Sequence, residues 1–238
     1  MISTPLQGLA DLIFPPSCLL CSALLDQPHK PICSICFDAF EPIAGTSCQQ
    51  CGQPLLEVAQ DRCLACTQQE PPLTIRSAFA FGGPLGNLII DLKHGKRDRA
   101  KLLAALLMEA QIIETDWKLD LLIPVPLHKT RRRKRGFNQA ELIGRTLAKN
   151  LNLRFRPNTL ERLVNNQPQT QLQNRTQRRD NVRGVFHVSR PAQTAQKNVL
   201  LIDDVVTTGA TLTESARALL QAGANRVYAV TLARTILA

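Results

Sequence analysis

The chain has 238 residues, of which 44% are hydrophobic and 20% charged, with a formal net charge of +10. That composition belongs to a folded globular protein and excludes a disordered or collagen-like chain, and no apolar run approaches the roughly 20 residues that cross a bilayer. Charge is divided along the sequence: residues 1–70 carry 2 basic and 7 acidic side chains, the remainder 27 and 12, so an anionic ligand is expected on the second part.

Met1–Phe14 has leucine-type spacing broken by Gln7, Gly8 and Asp11 and lacks a basic leading segment. It is expected to form a short amphipathic helix and not a secretion signal, which makes the cytoplasm the expected compartment. All eight cysteines follow before residue 67, in four Cys-x-x-Cys pairs: Cys18/Cys21, Cys33/Cys36, Cys48/Cys51 and Cys63/Cys66. Each pair begins fifteen residues after the previous one. Four thiolates in two close pairs suit tetrahedral zinc, and this is the spacing of ribbon sites. Disulfides suit a small secreted domain, and a redox pair needs its own βαβ context. Two structural zinc ions are therefore expected. The simplest assignment is sequential, and spacing alone does not exclude a cross-braced arrangement of first pair with third. So short a cysteine-bearing stretch cannot build a self-sufficient core, so metal is expected to supply its folding energy.

Glu70-Pro71-Pro72 is a rigid polar break, expected to separate a module over residues 1–70 from a domain over 71–238. Ser77–Phe81 is a strand candidate. Leu85, Leu88, Ile89 and Leu92 have helical spacing, as do Leu102, Leu103, Leu106 and Leu107. Leu121–Val125 is an apolar strand, followed by Pro126-Leu127-His128-Lys129 and the basic run to Arg135, which holds six cations in seven positions. This stretch is expected to be a loop with Gly136 as hinge, and Gln139–Asn150 a helix. Thr159–Val164 and Val185–Val188 are weaker strands. His29, His128 and His187 lack ligand spacing, and Asn174-Arg175-Thr176 is discounted as a glycosylation acceptor in this compartment.

Residues 199–211 carry the most chemistry. Val199–Ile202 has the β-branched content of a buried strand, with Asp203 and Asp204 where it is expected to end. Thr207-Thr208-Gly209-Ala210-Thr211 then leads into a helix over 211–222, and Val227–Thr231 completes a βαβ unit. A strand, two acids, a small-residue loop and a helix N-terminus make a cradle for phosphate, with carboxylates beside it for hydroxyls or a hydrated metal ion. The fold class expected from these elements is α/β with a parallel sheet. Its ligand should lie beyond the carboxyl ends of the strands, where the 126–135 and 203–211 segments meet.

Asp203-Asp204 followed by Thr207-Thr208-Gly209-Ala210-Thr211 resembles the motif with which type I phosphoribosyltransferases bind phosphoribosyl pyrophosphate (PRPP). The resemblance implies that the acids hold ribose hydroxyls, partly through Mg²⁺ waters, and that Thr207, Thr208, Gly209, Ala210 and Thr211 wrap the 5′-phosphate. It further implies that Pro126, Leu127, His128, Lys129, Arg131 and Arg135 face pyrophosphate. The cysteine pairs, Leu92-Lys93-His94-Gly95, Arg135-Gly136-Phe137-Asn138-Gln139-Ala140-Glu141 and this motif together resemble the ComF family, as do Thr170-Gln171, Arg178-Arg179, Asn181 and Phe186.

That resemblance implies a double zinc ribbon fused to a phosphoribosyltransferase-like domain, and a role in DNA uptake on single-stranded DNA beside a helicase-like competence protein. Three functions follow as expectations: transfer of ribose 5-phosphate from PRPP, PRPP or nucleotide sensing without turnover, and partner docking through the acidic cysteine module. No hood for an acceptor base is expected after strand 227–231, so an acceptor is expected to meet residues 73–118 or the cysteine module. Lys93 and His94 are candidates for anion contact.

Overall fold

The computed structural model describes residues 15–25, 27, 30–43, 45–55, 60–69, 71–164 and 184–236. The expectations for Met1–Phe14, His29, Glu70, Thr170, Gln171, Asn174–Thr176, Arg178, Arg179 and Asn181 lie outside these residues. The chain forms two compact units, Met1–Glu41 and Pro42–Ala238. In the smaller, an antiparallel bridge joins Ser17 to Leu24, and a short helix α1 (Ser34–Asp38) begins directly after Cys33. The larger repeats this pattern with a bridge between Ser47 and Pro54 and helix α2 (Leu64–Gln68) after Cys63. The second cysteine cluster is thus part of the unit that holds the sheet.

That sheet has five strands, all parallel, in the order β1-β7-β6-β2-β3. They are β1 (Thr74–Ala80), β2 (Leu121–Pro124), β3 (Arg154–Phe155), β6 (Asn198–Val206) and β7 (Arg226–Arg234). Val199–Ile202 and Leu122–Ile123 are fully excluded from solvent, as expected of continuous apolar runs in a sheet covered on both faces. Helices α3 (Gly83–Lys93) and α4 (Arg99–Glu109) follow β1, and α5 (Lys129–Arg135) and α6 (Gln139–Asn150) follow β2. Helix α7 (Ala210–Gln221) joins β6 to β7, and β4 (Leu160–Arg162) pairs antiparallel with β5 (Phe186–Val188) outside the main sheet.

Two elements differ from expectation. The acids do not follow the end of β6. The strand continues through them to Val206 because β7 also runs on, pairing Asp203 with Thr231, Val205 with Ala233 and Val206 with Arg234. The basic stretch Lys129–Arg135 is a helix and not a loop. The His128 imidazole Nδ1 accepts the Thr130 N–H at 3.2 Å, and Gly136 ends the helix at φ +79°. Gly136 is therefore a helix stop.

Helix α6 packs on β2, β3, β6 and α4. Its amphipathic pattern buries Ile143, Gly144 and Leu147, and Asn138 fixes its start. The Asn138 amide donates to the Val125 carbonyl at 2.9 Å and its Oδ1 accepts the Ala140 N–H, tying the helix to the end of β2. A Cβ on Gly144 would lie 2.8 Å from Ile202 Cγ2 and 3.0 Å from Leu122 Cδ2. Gly144→Ala is therefore expected to destabilise the protein by about 1–3 kcal/mol in urea unfolding, although alanine is the better helix former. A stabilised variant would show that this face has room.

Candidate active site

The connections after β2 and β6 leave in opposite directions. Helices α5 and α6 lead from β2 to β3, whereas α7 leads from β6 to β7 on the far side. Right-handed crossovers that diverge in this way open a crevice at the carboxyl ends of the two central strands. Pro126, Leu127 and His128, all half-buried, leave β2 there, and Asp203–Thr211 occupies the end of β6.

The acids are held by their own backbone. Asp203 Oδ1 accepts the Asp204 N–H at 2.9 Å, and Asp204 Oδ1 accepts the Val205 N–H at 2.8 Å. Lys93 Nζ, at the last residue of α3, lies 2.8 Å from Asp204 Oδ2. His94 is the C-cap of the same helix. Burial and the neighbouring Asp204 charge push the Asp203 carboxyl up to about 8, against the Asp204 N–H bond and the Lys93 and Arg162 charges. Asp203 therefore keeps its proton at neutral pH beside the Asp204–Lys93 pair, and a cation bound to the two carboxylates would displace that proton; their hard oxygen donors suit a hydrated Mg²⁺.

After Val206 the chain turns through Thr207, Thr208 and Gly209, the last at φ +78°, a conformation that favours glycine. Thr208 Oγ1 accepts the Ala210 N–H at 3.4 Å as α7 begins. The twelve-residue helix points its positive end at this turn, and Thr207, Thr208, Gly209 and Thr211 are half-buried around it while Ala210 packs into the core.

Helix α5 has two faces. Arg131 and Arg135, one turn apart, are half-buried, whereas Lys129, Arg132, Arg133 and Lys134 are exposed. Burial and Arg135 lower the Arg131 pKa. Arg135 donates to Gln139 Oε1 at 2.9 Å, and Arg132 pairs with Glu141 at 2.9 Å. Phe137 is buried with the Arg97 guanidinium 4.8 Å above its ring. The Arg135–Glu141 stretch is thus a bracket that orients α5 on the end of β2.

Arg162 of β4 is a residue that sequence reasoning missed. It is nearly buried, stacks over Phe186, and its pKa is lowered first by burial and then by Arg131, with Asp203 acting in the opposite direction. Arg162 therefore joins Lys93 in the electrostatic field of the acids and lies in that of Arg131 as well. A lone arginine in a three-residue strand carries no motif, and only the apolar Leu160 two residues away on the same strand face is buried with it.

The cysteines fall into two clusters, Cys18/Cys21/Cys33/Cys36 and Cys48/Cys51/Cys63/Cys66, each with all sulfurs within 4.8 Å of one another. The pairing is sequential. Cys21 and Cys33 sulfurs are 3.8 Å apart and those of Cys51 and Cys63 3.7 Å. A tetrahedron with Zn–S bonds of about 2.3 Å has edges of about 3.8 Å, so both donor sets fit zinc. Burial acts to raise the Cys18 thiol, but the backbone N–H groups of Cys21, Cys33 and Leu20 outweigh it and hold the thiol down to about 6. In the second cluster the Cys66 hydrogen bond, the Gln53 N–H and the Arg234 charge bring Cys51 down to about 5 against its burial. Burial raises Cys36, and the Cys51 hydrogen bond and burial raise Cys66, so each cluster pairs a thiolate with a retained proton that a metal ion would displace.

A family model described as a double zinc ribbon domain matches residues 9–71, and one described as a phosphoribosyl transferase domain matches residues 140–236. DNA utilization protein YhgH of Salmonella typhimurium is 34% identical over 231 residues, covering 94% of this chain and 100% of that protein. Competence protein F of Haemophilus influenzae is 29% identical, covering 91% and 96%, and competence protein ComFC of Bacillus subtilis 29%, covering 92% and 95%. The chain belongs to the ComF family. Its fold is the parallel sheet with flanking helices of phosphoribosyltransferases, accompanied by two four-cysteine zinc-binding sites. The phosphoribosyl transferase match begins one residue into α6, so this ComF chain's basic helix and Lys93 lie outside it. Among the described residues no helix is long and apolar enough to cross a membrane.

Proposed function

We propose that this ComF protein binds PRPP with Mg²⁺ in the crevice between β2 and β6 and transfers its ribose 5-phosphate to a nucleophile, releasing pyrophosphate. The observation that carries this reading is the acid pair and threonine-glycine turn on β6 beside Lys93 and Arg162, with Arg162 also in the field of the half-buried Arg131 of α5. Asp203 and Asp204 orient the ribose hydroxyls. Thr207–Thr211 and the start of α7 hold the 5′-phosphate. Arg131 and Arg135, with Pro126–Lys129 alongside, neutralise the pyrophosphate as the C1–O bond breaks and its electron pair departs with the leaving group. Asp203 and Asp204 would hold the Mg²⁺, which would supply positive charge against the leaving pyrophosphate. Little covalent chemistry is asked of the protein: it positions, neutralises and excludes water. Titration with PRPP and Mg²⁺, followed by assay of pyrophosphate release against bases and amines, tests this. Binding without release for any acceptor would support a sensor instead, and no binding at all would overturn the proposal.

The two faces of α5 favour a second activity beside the first. Lys129, Arg133 and Lys134 project to solvent, away from Arg131 and Arg135. Together with relatives named for DNA utilization and competence, this supports contact with single-stranded DNA in the cytoplasm, as an adaptor beside a helicase-like protein. With one Trp, one Tyr and eight Phe in the chain, stacking platforms are few and phosphate contacts should dominate. Arg133→Gln with Lys134→Gln is expected to reduce the slope of log affinity against log salt by about 1.4 for single strands. An unchanged slope would remove this helix from the DNA contact.

A further inference from the structure

Arg234, the last residue of β7, is 3% exposed, and among the described residues no carboxylate pairs with it. Its guanidinium donates to the Cys51 carbonyl and, at 3.3 Å, to Gln53 Oε1, while its Nε has no hydrogen-bond partner. A buried guanidinium needs a counter-charge. That of Arg234 is held on the backbone of Cys51, a member of the second cysteine cluster, and a zinc ion with the four thiolates there would carry a net charge of −2.

The backbone of the same residue faces the candidate active site. Arg234 is in register with Val206, and the Thr235 N–H donates to the Val206 carbonyl at 2.9 Å, at the residue before the threonine turn. The other end of the turn is held from the same side. A Cβ on Gly209 would meet Ile75 Cδ1 at 3.5 Å. The Ile75 N–H donates to the Gln50 carbonyl at 2.8 Å, and a Cβ on Gly52 would come within 2.8 Å of the Ile75 carbonyl oxygen. Gln50 and Gly52 flank Cys51. Val206 and Gly209, which bracket Thr207 and Thr208, are therefore both supported by the peptide knuckle that carries two ligands of the second zinc site.

We infer that Arg234 is a positioning residue through which the second zinc centre fixes the 206–209 turn, so that metal occupancy there governs the order of the phosphate cradle. The consequence for ligand affinity rests on the PRPP reading above; the mechanical coupling does not. The test uses full-length zinc-loaded protein as wild type, Arg234→Met, Arg234→Lys and Gln53→Ala. Amide exchange over residues 205–212 and over α6, release of each zinc to a chelator, and affinity for PRPP with Mg²⁺ are measured. Arg234→Met is expected to speed zinc loss from the second centre by about 10–100-fold, with the first centre unchanged. It should also accelerate exchange at 205–212 while leaving α6 protected, and weaken PRPP binding. Arg234→Lys, which keeps the charge, should recover part of each effect, and Gln53→Ala should show a smaller effect of the same kind. Equal acceleration in 205–212 and α6, in Arg234→Met and in the milder variants, would reduce the residue to a general structural role and overturn the inference. Zinc release and exchange at wild-type values would overturn it too. Coupled zinc release and exchange in a protein whose wild type binds no PRPP would uphold the coupling and sink the ligand reading instead.

Discussion

Replacing Asp203 by asparagine is expected to stabilise the free protein at pH 8 and to abolish its binding of PRPP. The Asp203 carboxyl is pushed from 3.8 up to about 8 by burial and by Asp204. A folded-state pKa above the unfolded one means that the native protein binds the proton more tightly, so stability is full below about pH 4 and declines as pH rises towards 8. Asparagine is neutral throughout, and its Oδ1 can still accept the Asp204 N–H. The variant should therefore match wild type near pH 4 and exceed it above pH 8, by about 1–3 kcal/mol once partial solvent access is allowed for. For a domain of this size that is a rise in Tm of roughly 3–10 °C. Thermal melts across pH 4–9 check it. A variant less stable than wild type at pH 8 would show that Lys93 and Arg162 already balance the acids.

The same substitution removes the charge that a hydrated Mg²⁺ and ribose hydroxyls would use. A residue that costs stability when unliganded and gains a partner on binding is the pattern expected of a binding site, and an ordinary helix cap would show the reverse. The Asp204 pair with Lys93 extends this argument, because a ligand that brings its own cation meets an ammonium already at Asp204 Oδ2.

Sequence alone located the central strands and the helices after them, because Val199–Ile202 and Leu121–Ile123 are apolar runs and 139–150 is strongly amphipathic. It placed the acids just past a strand end; they lie within the strand, since a parallel neighbour can carry the ladder past the apolar stretch. It read Lys129–Arg135 as a loop, as a run of like charges directly after a strand suggests, and like charges one turn apart do repel within a helix. The His128 cap, the Gly136 stop and the Glu141 partner to Arg132 are tertiary and terminal effects that outweigh that repulsion. The cysteine spacing left two pairings open, and the clusters resolve them as sequential. Arg162 and Arg234 were invisible for another reason: each acts through burial beside a group distant in sequence, and neither stands in a local pattern.

Loss of metal from the first cysteine cluster is expected to unfold residues 15–41 while leaving the sheet intact. Within the Met1–Glu41 unit the buried described residues are Cys18, Ile32, Cys33 and Phe40, and two of these are ligands. Two buried apolar side chains among the described residues 15–41 are too small a core to hold them folded unaided, whereas structural zinc contributes about 10–16 kcal/mol of apparent binding energy in zinc-finger peptides. The larger unit holds its own core, including Leu121, Ile123, Val199, Leu201 and Leu219. Cys18→Ser with Cys21→Ser should lower bound zinc from two ions per chain to one, expose residues 15–41 to protease and rapid amide exchange, and leave the main thermal transition within a few degrees of wild type. Acid should produce the same state in the unsubstituted protein, since protons compete with zinc for Cys18, whose thiol is held down to about 6. The metal-free variant keeping slow exchange over 15–41 would mean that contacts other than the zinc hold this unit together.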